Sequence, residues 1–325
     1  IAKPMKPFSE SDKYIIDQYI MNGGRVLWLI DGVQIQESDL TQRGVAPMLP
    51  LDINLQDQLF RYGVRITSTL VQDAQCAYMP MNIAKPGETP QFEPLPWFYT
   101  PLLLPSPISP ITKNLMQVKA DFASVLDFTS DENKVQKDLL LITSNATHVS
   151  QAPATIDLSQ LLENSKQDGY FFTKYQPIAA SLQGVFPSNF PSRGRMVPAG
   201  VVSQKPHRDE SVPTRMIVVA DGDIIRNEVE NSAQGIRIIP AGYDRASQMT
   251  FGNKDFLLNA LLYLTDYQDW LSLRNRTFKL HLLNKTAVNT NRHFWQWSNI
   301  LLPLALLAVF GVIHFVIRRK RFEKG

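Results

Sequence analysis

Eighteen consecutive residues near the C-terminus, Ile300 to Ile317, carry no formal charge beyond what His314 can hold. A helix rises ~1.5 Å per residue, so this run spans about 27 Å, close to the roughly 30 Å hydrocarbon core of a bilayer. Trp295 and Trp297 precede it, as aromatics do at a membrane interface. Arg318, Arg319, Lys320, Arg321 and Lys324 follow it, whereas Lys285 and Arg292 are the full positive charges just before it. A buried core helix has no reason to end in such a basic cluster. The segment is therefore expected to be a single transmembrane helix, with the C-terminus cytoplasmic and everything before Trp295 outside. His314 falls within a turn of the basic end, where a neutral interfacial histidine is expected. Pro303 is expected in the first helical turn, where its missing N–H costs little.

This anchor leaves a long stretch to fold outside the membrane. The chain has 325 residues, 44% of them hydrophobic and 19% charged, which suffices for a packed core and argues against global disorder. The net charge is +3, and part of that excess sits in the tail, so no nucleic-acid footprint is expected. A lone cysteine, Cys76, makes no internal disulfide and no cysteine-rich metal site. The chain opens on Ile1 without a charged-then-apolar leader, and reads as a processed product or a fragment.

Local patterning points to an α/β domain. Ser9 or Ser11 is placed to cap a helix with Ile15, Ile16, Tyr19 and Ile20 on one face, and Asn22-Gly23-Gly24 ends it. Arg25 to Ile30 reads as a strand, and its near-continuous apolar run suggests burial on both faces of a parallel sheet. A second helix–glycine–strand unit follows: Leu55 to Tyr62, Gly63, then Val64 to about Val71, ending at Asp73. Further strands are expected at Asp138–Thr143, Ile178–Leu182 and Arg215–Ala220, with a last one at Thr277–Asn284. Asn253 is expected to cap a buried helix through Leu264. Nine of the 22 prolines fall in residues 80–110, a density that excludes helix and central strand. With Trp97, Phe98 and Tyr99, that stretch reads as an ordered excursion. The expected organisation is an extracytoplasmic α/β domain at 1–285, a connection at 286–299, the span at 300–317 and a basic cytoplasmic tail at 318–325.

Acids close several expected strands: Asp31, Asp73, Asp221 and Asp223. Ligands of open α/β sheets bind beyond the carboxyl ends of the strands, so Asp31, Asp221 and Asp223 are candidate ligand-binding residues, joined by Arg193 and Arg195 from a polar loop. The competing reading is that Asp-Gly makes tight turns. Assembled catalytic parts are missing. Arg25–Asp31 resembles a Walker B strand, but no phosphate-binding G-x-x-x-x-G-K-[ST] accompanies it. There is no G-x-S-x-G elbow, and Cys76 lacks the flanking glycines of a nucleophile turn. The five histidines show no metal spacing. No catalytic residue, metal or cofactor is expected. Asn145, Asn275 and Asn284 open glycosylation triplets that matter only in a eukaryotic secretory host.

Five runs carry a resemblance: KPFSESDKYIIDQYIMNGGRVLWLIDGV at 6–33, LPLDINLQDQLFRYGVRITSTLVQD at 49–73, PWFYTPLLLPSPISPITKNL at 96–115, RMIVVADGDIIRNEV at 215–229 and FGNKDFLLNALLYLTDYQDWLSLRNR at 251–276. Their order resembles the gliding-motility-associated ABC-transporter auxiliary proteins of the GldG family in the Bacteroidetes. The resemblance implies a layered, mostly parallel α/β sheet of the GIFT-like kind, akin to class I glutamine-amidotransferase and flavodoxin-like folds but without a catalytic cysteine. It implies a bacterial inner-membrane location with the bulk of the chain periplasmic. It also implies partnership with an ABC permease and, through it, a cytosolic ATPase, in gliding or transport. It implies no ligand residue by residue. A non-catalytic complex component is therefore the leading expectation. A periplasmic ligand-binding or sensing module is the alternative, and a cryptic hydrolase, which needs a nucleophile with a base in reach, comes third.

Overall fold

A computed structural model describes residues 1–82, 84, 89, 91–129, 135–191, 198, 205–232, 235–265 and 290–322. The chain divides into two compact units, Ile1–Asn275 and Arg276–Gly325. Arg193, Arg195 and the strand expected at Thr277–Asn284 lie outside the described residues.

The larger unit carries helices α1 (Glu10–Met21), α2 (Glu37–Arg43), α3 (Gln56–Tyr62), α4 (Leu158–Asn164) and α5 (Asn253–Thr265). Its main sheet contains β1 (Val26–Leu29), β2 (Cys76–Asn82), β3 (Phe92–Pro105), β4 (Val118–Lys119), β5 (Val135–Ile142), β6 (Pro177–Gly184) and β7 (Thr214–Val219). The order is β1-β7-β6-β5-β3-β2, with β4 against β3.

The expectation of a mostly parallel sheet is overturned. Among the described strands of this sheet β1 and β7 are the parallel pair, whereas β7–β6, β6–β5, β5–β3, β3–β2 and β3–β4 are all antiparallel. Continuous apolar strands report burial on both faces, and a covered antiparallel sheet satisfies that equally well. Both faces are covered here. Met216, Val218 and Ala220 join Trp28 in a core that includes Ile20 and Met21 of α1 and Leu59 and Tyr62 of α3. The alternate residues Ile217 and Val219 join Phe256, Ala260 and Leu264 of α5 in a second core. The period of two thus sorts one strand between two helical layers.

α1 starts as its sequence dictates. The Ser9 hydroxyl accepts from the Asp12 N–H at 3.2 Å and the Asp12 carboxylate accepts from the Ser9 N–H at 3.3 Å, a reciprocal capping box. Its buried face differs from the apolar stripe. Ile20 is buried, but Ile15 and Tyr19 are 55% and 56% exposed, and Lys13, Asp17 and Gln18 point inward instead. These polar groups find partners on α3 and on the 186–190 segment, which is why the helix rotates them in. Lys13 Nζ donates to Asp57 at 2.7 Å, and Asp17 accepts from Tyr62, Ser188 and Asn189.

The second helix–glycine–strand unit forms, with Gly63 at φ +107° closing α3, but its strand does not join the main sheet. It breaks into Val64–Ile66, paired with Leu126–Phe128, and Thr69–Asp73, paired with Thr147–Gln151. Thr67 sits at the break and donates its hydroxyl to Val125 O at 2.8 Å.

The proline-rich stretch is also corrected, because it contains β3, a 14-residue strand. Pro80 pairs with Pro94 and Tyr78 with Pro96. A Pro–Pro pair has no N–H to exchange, so this register class is the non-hydrogen-bonded one and the ladder loses nothing there. Beyond the irregularity after Cys76, the prolines switch to Pro101 and Pro105 as the alternation shifts phase. Trp97, Phe98 and Tyr99 are buried in a third core. Asn253 does not cap α5. Its side chain accepts from Lys119 N and donates to Lys119 O and Ile224 O, tying β4 to the helix start.

The smaller unit contains α6 (Arg292–Phe322), 31 residues with no buried side chain. Among the described residues it is the helix long and apolar enough to cross a membrane. Because it starts at Arg292, Pro303 lies inside it and not in its first turn.

Candidate ligand site at the ends of the parallel strand pair

The register pairs Leu29 with Val219, and each strand is followed two residues later by an aspartate. Parallel strands end on the same side, so Asp31 and Asp221 come together there. Asp223 opens a short 3₁₀ turn, Asp223–Ile225, and joins them. One oxygen from each of Asp31, Asp221 and Asp223 lies within 4.8 Å of the others, and all three residues are buried. A fourth acid, Asp121, follows β4 at the same offset of two.

Backbone amides hold the carboxylates. Asp221 accepts from Asp223 N at 2.7 Å and from Asp121 N at 3.0 Å, and Asp31 accepts from Gly222 N. Gly222 is required by this approach, since a Cβ there would lie 2.9 Å from Lys3 Cβ and 3.1 Å from Asp31 Oδ1. Ala2 bridges in parallel to Leu29, and Lys3 N donates to Leu29 O at 2.8 Å. That segment carries Lys3 Nζ onto Asp223 Oδ2, with Asp31 Oδ2 at 3.7 Å. Arg226 Nη1 lies 3.1 Å from Asp223 Oδ1, and its Nη2 lies 3.8 Å from Asp121 Oδ2.

Burial pushes the Asp221 carboxyl well above the usual range, and the charges of Asp31, Asp121 and Asp223 push it further. Asp31 is raised by burial against the opposing pull of the Gly222 N–H and Lys3. Burial alone would lower Lys3, but the hydrogen bond and charge of Asp223, with the charge of Asp31, outweigh it and raise the ammonium. The cluster therefore retains protons that free carboxyls would lose. A divalent ion has a possible oxygen set here, but Lys3 already supplies the cation to Asp31 and Asp223.

The cluster backs onto a cavity of about 670 Å³. The cavity runs along β2 and is lined by the apolar and aromatic side chains of Tyr78, Met79, Phe92, Trp97 and Phe122 and by the charged Asp121 and Arg226. A pouch of about 20 Å³ shares Lys119, Asp121, Arg226 and Glu228 with it and reaches Asp223.

The structure thus brings together Asp31, Asp221 and Asp223 of the expected site residues. Asp73 lies apart from them, accepting from Ser144 N at 2.7 Å, from the Ser144 and Thr147 hydroxyls and from Gln75 N, which is turn chemistry. Cys76 is buried, and burial together with the charge of Asp73 pushes its thiol up to about 12. Lys3, Asp121 and Arg226 were not among the expected residues. Asp121 had a visible signal: Val118-Lys119-Ala120-Asp121 repeats the pattern of Val218-Val219-Ala220-Asp221.

A mixed α/β unit with a strand-end carboxylate cluster, together with one membrane-length helix among the described residues, defines the class. The chain belongs to the family described as an ABC-type uncharacterized transport system, ABC_transp_aux, whose model matches residues 1–260. Nothing among curated proteins matches the chain. Among solved structures it is similar to "mmIFT52 N-terminal domain" at 13% identity and a TM-score of 0.36, over 86% of this chain and 77% of that one, a likeness too partial to assign a fold.

Proposed function

We propose that the protein is a non-catalytic auxiliary component of an ABC-type transport system of the gliding-motility-associated GldG kind. It is anchored in a bacterial inner membrane by α6, with the larger unit in the periplasm and Arg318–Arg321 in the cytoplasm. The observation that carries this reading is the family match over 1–260, followed by a membrane-length helix that ends in four consecutive basic residues. The positive-inside bias supports the orientation. A non-catalytic role is supported by the chemistry of the cluster, whose carboxylates accept backbone amides and which includes no histidine or cysteine. In this reading the link to a cytosolic ATPase runs through a permease that packs beside the helix.

The test is affinity purification of the full chain from its host membranes in a mild detergent, with the co-purifying proteins identified by mass spectrometry. The expected result is recovery of an ABC permease and its ATPase. Repeated purifications that return intact chain with neither partner overturn the reading.

A further inference from the structure

A second cavity, of about 230 Å³, is lined by residues of α4, of β3 and of the strand pair Thr69–Asp73 with Thr147–Gln151. The register builds its polar wall. Gln72 pairs with His148 and Leu70 with Ser150, and with a period of two these four side chains share one face. Tyr170 braces the wall. Its hydroxyl donates to Gln72 Oε1 at 2.8 Å, Gln72 Nε2 donates to Ser150 Oγ at 3.3 Å, and the rings of His148 and Tyr170 stack at 4.2 Å and 10°. Met48, Leu70 and Ile156 complete the lining as buried apolar residues.

Two hydrogen-bonding groups on this lining are left without partners. Tyr99 is 4% exposed, and its hydroxyl makes no hydrogen bond among the described residues. The hydroxyl oxygen is not fully enclosed, so it opens on the cavity that Tyr99 lines. Burial, with the charges of Tyr170 and Asp157, pushes that hydroxyl up, so it keeps its proton and acts as a donor. Tyr170 and Asp157 line the same cavity, which agrees with the hydroxyl lying there. His148 supplies the complement. Its Nδ1 lies 3.1 Å from Tyr170 O, and a carbonyl only accepts, so Nδ1 carries the proton and Nε2 of the neutral ring is an acceptor. Nε2 has no partner among the described residues.

The rest of the lining excludes charge. Among the described residues around the cavity there is no lysine or arginine to hold an anion. The one carboxylate, Asp157, caps α4, accepting from Ser159 N at 2.9 Å and Ser159 Oγ at 2.6 Å. A charged group buried here without a counter-ion would be costly, so an uncharged ligand is favoured. The volume lies below the ~300–1,000 Å³ of drug-sized sites and is several times the ~30 Å³ share of one water, which sets the size at a small solute. Such a ligand must offer an acceptor to Tyr99 and a donor to His148. A carboxamide carries these on separate atoms, whereas a hydroxyl must use one atom for both.

We propose that this cavity binds a small uncharged carboxamide, its carbonyl oxygen accepting from Tyr99 Oη and its N–H donating to His148 Nε2. The binding is independent of the transport assignment.

The test uses the full chain in lipid nanodiscs at about pH 8, above the ordinary histidine pKa of ~6.5, with empty nanodiscs subtracting partition into lipid. Four probes share one ring and differ in head: benzamide, benzyl alcohol, benzoate and benzamidinium. Ligand-observed NMR titration is expected to show saturable benzamide binding tighter than about 1 mM, at least about tenfold tighter than either ion, and tighter than the alcohol. Tyr99→Phe removes only an unpartnered hydroxyl, so its Tm is expected to equal or exceed the parent's while benzamide binds about threefold to tenfold more weakly. His148→Phe keeps a ring against Tyr170 but removes Nε2, and is expected to weaken benzamide by a similar factor. Benzamide binding weaker than about 1 mM overturns the proposal. So does binding of the alcohol or either ion as tight as that of benzamide, or parent affinity for benzamide in either variant. A lower Tm for Tyr99→Phe overturns it too, because the hydroxyl would then have a partner within the fold.

Discussion

Replacing Asp17 by alanine removes the acceptor at the centre of the polar network beneath α1. Its carboxylate is fully buried and takes Tyr62 Oη at 2.9 Å, Asn189 N at 2.8 Å, Ser188 Oγ at 2.7 Å and Gln18 Nε2 at 3.1 Å. Gln18 keeps a second acceptor in Arg208 O, and the Ser188 hydroxyl is free to rotate. The Asn189 N–H keeps no such alternative, and the Tyr62 hydroxyl regains an acceptor only where the Gln58 amide, 2.9 Å away, turns its unpartnered oxygen towards it. Each stranded buried donor costs roughly 1–3 kcal/mol, and truncating one member of a buried charged network costs about 3–5 kcal/mol. We expect Asp17→Ala to lose ~3–5 kcal/mol, or roughly 10 °C at ~2–4 °C per kcal/mol for a unit of this size. Asp17→Asn retains one acceptor oxygen and is expected to lose about half as much. The exposed cap residue supplies the control: Asp12→Ala should cost ~1 kcal/mol. Urea unfolding of the full chain, followed by tryptophan fluorescence with Trp28 in the core, measures all three. A loss for Asp17→Ala no larger than that for Asp12→Ala would refute the reasoning, because it would mean that water or repacking satisfies the network at no cost.

Two further outcomes follow from the strand-end site. Asp31 and Asp221 are held above their unfolded values, so their contribution to stability is full below the unfolded carboxylate pKa near ~3.9 and is lost as pH rises through the raised folded values. Lys3 opposes that loss, so the Tm deficit of Lys3→Met relative to the parent should grow between about pH 4 and pH 8 in thermal melts, and a deficit that is constant or shrinks contradicts the assignment. Cys76, with its thiol pushed up to about 12, should resist maleimide in the native protein near neutral pH and react fully in urea. Stoichiometric labelling of folded protein would show that the site is open.

Local chemistry was legible in the residues, and partner choice was not. The limits of α1 follow from Ser9, Asp12 and Asn22-Gly23-Gly24, because a cap is made within a few residues of itself. β5, β6 and β7 were visible as apolar runs. Their direction was not, since burial on both faces says nothing about which way a neighbour runs. Proline density hides β3. The informative quantity was its alternation, at 94 and 96 and then at 101 and 105. The inward face of α1 was missed for a related reason. An apolar stripe predicts the buried side only when the opposing surface is apolar, and here Asp57, Tyr62 and Ser188 meet it. Within the site, Asp31, Asp221 and Asp223 were readable from strand-end position, whereas Lys3 meets Asp223 across 220 residues of chain and Arg226 joins the site through contacts that only the folded chain makes, with Asp223 and Asp121.

The correction to the sheet bears directly on the site. In a mostly parallel sheet every strand would end on one side, and a strand-end aspartate would be unremarkable. Here the antiparallel neighbours carry their ends away, and β1 with β7 is the pair that puts two carboxyl termini side by side. The concentration of Asp31 and Asp221 is thus a consequence of one parallel pairing at the edge of the sheet. That same edge leaves β1 open on its other side, where Ile1–Lys3 adds and delivers a cation to the cluster. The pairing that gathers the acids therefore also creates the place for their counter-charge. A substitution that loosens Ile1–Lys3 from β1 acts on Asp223, through it on Arg226, and so on the charged wall of the cavity, without touching the cavity itself.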